Sequence, residues 1–312
     1  MNLIICNVYS LLTHFTPYLH FHRFATHAHL MAFWRQIEPA THRMLTCSKD
    51  QPAAKKTPQF QALQPIDEFF LFMNYLSLGL LQKDLAQRFN IHQSTVSRII
   101  KTWVNFLYIV LGAVGIWMSE EAIKANLPDV FKDYADTQVV LDCTELRCQT
   151  PNSLLLQSEV FSTYKSHCTY KGLIGIAPHG AITFISALYA GSISDKELLK
   201  QSGIVRLLKP TMAIMVDKGF LVEDCVPCKV HIPAFLAKKA QLSEQEVMQT
   251  QSIARLRIHV ERLIRRVKEH KIFNTVIPLA LTGSINQLYT VACLLVNYQN
   301  GPLVKDWARE AR

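Results

Sequence analysis

No apolar run in this 312-residue chain reaches the ~20 residues needed to span a bilayer. The longest, "FLYIVLGAVGIWM" from Phe106 to Met118, reads as a buried helix end with its loop. No membrane span is expected. No internal repeat occurs at solenoid periods, which excludes a stacked-repeat architecture. The cysteines at 6, 47, 143, 148, 168, 225, 228 and 293 follow no regular spacing. That excludes a disulfide framework, and they read as reduced, intracellular thiols. Cys225-Val-Pro-Cys228 is a lone CxxC with no second pair nearby, whereas a structural zinc site needs about four ligands. The opening "MNLIICNVYSLLTHF" has no basic residue ahead of its apolar core and no small-x-small cleavage site, so no secretory signal is read there. Acidic residues are the scarcer sign: 24 against 33 basic ones, a net charge of +9 and a pI near 9.1. This balance favours a polyanionic partner, nucleic acid ahead of an acidic membrane surface.

Hydrophobic residues make up 49% of the chain and charged residues 18%, a globular composition with enough length for two or three units. Residues 1–24 carry no strong pattern and stay unassigned. Residues 25–62 read as a helical segment, "THAHLMAFWRQIEPATHRM", interrupted at Pro39, and then a polar, basic, proline-bearing linker. Residues 63–107 form a compact helical group, and 108–137 a helical connector. From 138 to 300 the pattern changes to short β-branched runs, a hairpin around Pro178-His179-Gly180, and helices. Ser194 caps one of these helices, with Glu197 at its third position. Strands followed by helices indicate a mixed α/β domain. Residues 301–312 are a tail.

"LLQKDLAQRFNIHQSTVSRIIKTW", Leu80 to Trp103, fits a helix-turn-helix by spacing. A short helix and a tight turn at Asn90-Ile91 precede a helix that opens with small polar side chains. Val96, Ile99, Ile100, Trp103 and Leu107 share one stripe, leaving Gln93, Ser94, Thr95, Arg98 and Lys101 toward the other face. A recognition helix needs that division: one stripe buried, and N-terminal polar residues free to reach base edges. A plain helical hairpin in a core is the duller alternative.

Three carboxylates are candidates for chemistry. Asp142 is expected to end the strand "VVLD" and Asp217 the strand "AIMVD", while Glu261 lies in the helix "IARLRIHVERLIRRVKEHK". Strand ends of an α/β sheet open onto a crevice where ligands bind. Carboxylates meeting there repel unless a cation holds them, and hard divalent ions such as magnesium or manganese fit that role. A metal pair can activate water for phosphodiester cleavage. Taken singly, each residue has a duller use, as a turn cap or an ordinary helix ion pair. The helix has an apolar stripe at Ile253, Leu256, Val260, Leu263 and Val267. Between Arg255 and Lys271 it carries seven Arg or Lys against two Glu, a basic rim suited to phosphate. Arg257, Arg262 and Arg265 are its candidate DNA contacts.

Together, "LGLLQKDLAQRFNIHQSTVSRIIKTW", "VVLDCTELRCQTPNSLLLQSEVFSTYKSH", "KGLIGIAPHGAITFISALYAGSISDKEL", "MVDKGF", "IPAF" and "IARLRIHVERLIRRVK" resemble the Harbinger-type DDE transposases and their nuclease relatives. The resemblance implies an RNase H-like catalytic domain, a mixed sheet flanked by helices, preceded by an all-α helix-turn-helix domain. It implies a metal-binding catalytic triad at Asp142, Asp217 and Glu261, with Asp195 in "SISDKEL" as an accessory acid beside the site. It also implies a magnesium or manganese pair, double-stranded DNA as partner and substrate, and a nuclear location. A separate DNA-binding partner protein and a homo-oligomer are both left open. This chain departs from the family at Cys168, where Asn is usual, at "LAKKA" from Leu236, and at Arg265, where a small residue is common. A catalytically inactive, domesticated DNA-binding protein is therefore the alternative reading.

Overall fold

The structure, a computed structural model, describes residues 23–44, 63–234, 241 and 243–300. The expectations for the first 22 residues, the linker over 45–62, the string from Leu236 and the tail lie outside them. In chain order the helices are α1 (His27–Ile37), α2 (Pro65–Leu78), α3 (Gln82–Arg88), α4 (Gln93–Gly112) and α5 (Glu120–Ala125), then α6 (Leu154–Val160), α7 (Asp195–Gln201), α8 (Glu244–Lys268), α9 (Lys271–Asn274) and α10 (Ile285–Gln299). The strands are β1 (Thr137–Arg147), β2 (Phe161–Ser162), β3 (His167–Ile176), β4 (Ile182–Ile185), β5 (Tyr189–Ala190), β6 (Ala213–Met215) and β7 (Lys229–His231). They cluster into two compact units. None of the described helices is long and apolar enough to cross a membrane.

The first unit is helical. Thr26 caps α1, its hydroxyl accepting from the His29 amide, and at Pro39 the chain tightens into a 3-10 turn over Glu38–Arg43. Proline lacks the amide that an α-helix would need at that point. Pro65 opens α2, where a missing amide costs nothing. Gly79 closes it at φ 65, a left-handed position that glycine takes without a Cβ penalty. In α4 the stripe Val96, Ile99, Ile100, Trp103 and Leu107 is buried, as its spacing predicts. The rings of Trp34, Phe69 and Trp103 pack in tilted pairs with centroids 5.3–6.1 Å apart, and the Trp103 indole donates to Glu68 Oε2 at 3.2 Å. Each such buried ring contributes about 1.5–3 kcal/mol through area removed from water.

The sequence reading groups residues 283–300 with the nuclease domain. In the structure α10 packs against α4 and clusters with the helical unit. Ten of its residues are buried, from Ile285 to Gln299. A helix apolar on so many sides needs burial, but its pattern does not say against which neighbour.

The second unit is built on a mixed sheet in the order β2-β3-β1-β6-β7, with β4 and β5 both paired to β3. β1 runs antiparallel to β3 and parallel to β6, and β6 is parallel to β7. The β3–β4 hairpin turns through Pro178-His179-Gly180, with Gly180 at φ 98. Val139 and Leu141 bury one face of β1 in a cluster that includes Leu198 and Leu199 of α7. Residues that alternate with them, Val140 and Asp142, turn to the opposite face, where α8 packs on β1 and β3. Ile253, Leu256, Val260, Leu263 and Val267 are the buried stripe of α8. This mixed sheet between flanking helices has the RNase H-like architecture.

Candidate active site

Asp142 lies inside β1, whereas the sequence reading ends the strand there. β1 continues to Arg147 because Asp142 through Arg147 pair in register with Ile174 through Thr169 of β3. Its parallel pairing to β6 does stop earlier, at Val140 opposite Met215. Asp142 and Asp217 each lie two residues beyond that last parallel pair. They therefore flank the point where the strands part, the kind of crevice in which α/β sheets bind ligands. Local backbone amides fix both carboxylates. Cys143 N donates to Asp142 Oδ1 at 2.9 Å, and Lys218 N donates to Asp217 Oδ1 at 2.7 Å.

Between them stands Arg257 of α8. Its Nη1 donates to Asp217 Oδ1 at 2.7 Å, and its Nη2 lies 3.6 Å from Asp142 Oδ1. The arginine is buried, at 6% exposure, and its Nε has no hydrogen-bond partner. The sequence reading counts Arg257 among the cations that face DNA; the structure turns it inward onto the aspartates. The remaining two of that set, Arg262 and Arg265, are exposed on α8. A signal for the difference existed: Arg257 flanks the apolar stripe beside Leu256, and Ile264, buried on the same flank, lies two turns further on.

Glu261 is exposed, one helical turn from Arg257. Its charge still reaches Asp142. Burial pushes the Asp142 carboxyl up to about 6; Arg257 and the Cys143 amide oppose the rise, and the negative charges of Asp217 and Glu261 add to it. The three candidate carboxylates thus share one electrostatic neighbourhood. Lys268, further along α8, belongs to it as well. Burial and the Lys165 charge push its ammonium down, while Glu145 and Asp142 pull it back up. The sequence reading names neither Lys268 nor Lys165 as a site residue, although Lys268 follows Glu261 by seven positions, on the same helix face.

Asp195 opens α7 and forms an ion pair with Lys171 at 2.6 Å, and Lys171 also donates to the Ile193 carbonyl at 3.2 Å. Burial pushes the Cys143 thiol up, and Asp195 adds to the rise; the Cys143 side chain alternates away from that of Asp142 along β1. Glu145 accepts from Thr169 Oγ1 at 2.8 Å. Cys225 donates to Asp224 Oδ1 at 3.3 Å.

Among the described residues no group of three His, Cys, Asp or Glu side chains is assembled for a metal ion. The donor chemistry nevertheless fits one. Asp142 and Asp217 supply hard oxygen donors that already converge on a single positive group, and a third carboxylate lies one turn from that group. Hard divalent cations take such oxygen ligands, so these residues suit the ion that the sequence resemblance implies.

In the helical unit, α3 and α4 are joined through the tight turn expected at Asn90, which takes a positive φ of 50, a conformation asparagine tolerates. The His92 side chain caps α4, its Nδ1 accepting from the Ser94 amide at 3.2 Å; the same nitrogen lies 2.7 Å from Ser94 Oγ. Gln93, Ser94, Arg98 and Lys101 are exposed and Thr95 is half-buried. Polar side chains are therefore presented at the start of a helix whose opposite stripe is held in the core, the division that groove recognition requires.

No curated protein and no solved structure matches the chain. Two family models do. DDE superfamily endonuclease matches residues 141–297, half of the chain, and the helix-turn-helix of DDE superfamily endonuclease matches residues 61–113. The matched segments contain Asp142 of β1, Asp217 just beyond β6, α8 with its glutamate, and the α3–α4 turn, and they point to DNA as partner. The chain belongs to the DDE superfamily endonucleases, with the helix-turn-helix of that superfamily ahead of its nuclease domain.

Proposed function

We propose that this chain is a divalent-metal-dependent DNA endonuclease of the Harbinger transposase type, with Asp142, Asp217 and Glu261 as its catalytic metal ligands. One observation carries the reading: Asp142 of β1 and Asp217 just beyond β6 meet across one buried cation, within the electrostatic reach of a helix-borne glutamate, inside the matched endonuclease segment. A bound magnesium or manganese pair supplies activation of water or a 3′-hydroxyl and stabilisation of the leaving oxygen. The chain's own residues do the rest. The Cys143 and Lys218 amides hold the two aspartates in place. Arg262, Arg265 and Lys268 offer positive charge to the DNA backbone. The α3–α4 unit brings Gln93, Ser94, Thr95, Arg98 and Lys101 to a double-stranded target, and a nuclear location follows from that substrate.

The alternative is a domesticated DNA-binding protein without catalysis. It is favoured by the Arg257 bridge, which already gives the two aspartates a shared counter-charge, and by the departures at Cys168 and Arg265. Incubation of supercoiled plasmid with the protein and Mn2+ separates the two readings. Nicking by the wild type and none by Asp142→Asn supports the enzyme. Equal nicking by both, or none by either, counts against the enzyme, and none by either is what the alternative expects.

A further inference from the structure

We infer that Arg257 is a built-in counter-ion that holds the acidic site together before divalent ions arrive and is expelled when they bind. The inference rests on the reading of Asp142, Asp217 and Glu261 as metal ligands. Its basis is where the guanidinium lies. Nη1 is 2.7 Å from Asp217 Oδ1 and Nη2 is 3.6 Å from Asp142 Oδ1. Asp142 and Asp217 would hold a divalent ion through these carboxylates, so the ion and the guanidinium would compete for the same oxygen acceptors.

Charge leads to the same conclusion. Three ionised carboxylates carry three negative charges. Two divalent ions bring four positive ones, and a retained guanidinium adds a fifth. With Arg257 gone the excess falls to one positive charge, which a single phosphodiester cancels. In a partly buried site that difference is poorly screened. Without ions the balance reverses: Asp142 and Asp217 repel each other, and Arg257 is the cation that offsets the repulsion.

The arginine is also built to leave. Its polar anchorage runs through Nη1 and Nη2 alone, because its Nε is buried without a hydrogen-bond partner. Asp217, the acceptor of its shortest contact, is 56% exposed at the side chain. Arg257 precedes Glu261 by one turn, so an expelled guanidinium would swing along the basic face of α8, where backbone phosphate would be its next partner. Arg257 is therefore a positioning residue that sets divalent-ion affinity.

The test is Mn2+ binding, followed by the loss of the free-ion signal in electron paramagnetic resonance. The wild type, Arg257→Gln and Asp217→Asn are compared without DNA. Removing one charge-assisted competitor should tighten Mn2+ binding by Arg257→Gln about tenfold, with binding lost in Asp217→Asn. A merely structural arginine would give equal or weaker binding in Arg257→Gln. That result, with Asp217→Asn still deficient, overturns the inference and leaves the metal-site reading standing. Absence of binding in both the wild type and Arg257→Gln overturns both. A second measurement needs no variant: phenylglyoxal modification of Arg257 in the wild type, read by peptide mass spectrometry. Protection without metal and reactivity in saturating Mg2+ supports expulsion; unchanged protection overturns it.

Discussion

Replacing Asp217 by alanine and Arg257 by methionine, singly and together, forms a double-mutant cycle across the shortest contact of the acidic site. The contact is a charge-assisted hydrogen bond of 2.7 Å between a guanidinium at 8% side-chain exposure and a carboxylate at 56%. Hydrogen bonds to charged groups contribute about 1.5–3 kcal/mol. Removing one partner of a fully buried pair costs about 3–5 kcal/mol. The water around Asp217 brings this contact well below the buried case, so about 1–2 kcal/mol of coupling is expected. Asp217→Ala leaves a buried cation whose next carboxylate, on Asp142, lies 3.6 Å away. Arg257→Met leaves two aspartates repelling each other. The double variant removes both faults, so it should be less destabilised than the sum of the single variants. Urea unfolding without divalent ions, followed by circular dichroism, gives the four free energies. Additivity within about 0.3 kcal/mol would show that the guanidinium does not bridge the aspartates in solution, and the counter-ion argument would fail with it.

Three further outcomes are expected. Burial, with Arg23 nearby, pushes His270 down to about 3 from its ordinary 6.5. The folded protein therefore keeps the imidazole neutral while the unfolded chain takes up a proton as pH falls. Its contribution is present in full above 6.5 and lost on the way down to 3, amounting to about 2 kcal/mol between pH 6.5 and 5. Urea midpoints at those two pH values should converge in His270→Gln; an unchanged pH slope would refute this. In the helix-turn-helix, Arg98→Ala should cost about 1–3 kcal/mol on a preferred duplex and relax base preference. Lys101→Ala should weaken all duplexes alike and lower the salt slope by about 1. Fluorescence anisotropy distinguishes the two, and identical behaviour would remove Arg98 from base contact. A Cβ on Gly191 would lie 2.2 Å from Thr169 Oγ1, 2.6 Å from the Val160 carbonyl and 2.8 Å from the Thr169 carbonyl, whereas one on Gly219 would meet nothing within 4 Å. Gly191→Ala should therefore cost about 1–3 kcal/mol by overpacking, and Gly219→Ala less than about 0.5 kcal/mol, by the same unfolding measurement.

What the sequence made legible was local chemistry. The Ser194 cap, the Pro39 interruption, the tight Asn90 turn and the stripes of α4 and α8 all follow from side chains acting within a few residues of themselves. What it hid was set by partners distant in the chain. β1 extends past Asp142 because β3, more than twenty residues on, supplies the hydrogen bonds. α10 packs on α4 across nearly two hundred residues. Arg257 looks like its basic neighbours until Asp142 and Asp217 are brought beneath it. The Lys171 partner of Asp195, opposite Glu145 on β3, is likewise supplied from another element. In each case the residue type was read directly, and its partner was supplied by the tertiary fold.

A crystal of the protein soaked in Mn2+ and measured at the manganese absorption edge would show directly whether the acidic site takes metal. Anomalous density is expected about 2.0–2.2 Å from carboxylate oxygens of Asp142 and Asp217, with Glu261 turned toward it and the Arg257 guanidinium displaced. Manganese bound only elsewhere on a well-ordered protein, with Arg257 still bridging the two aspartates, would contradict this expectation.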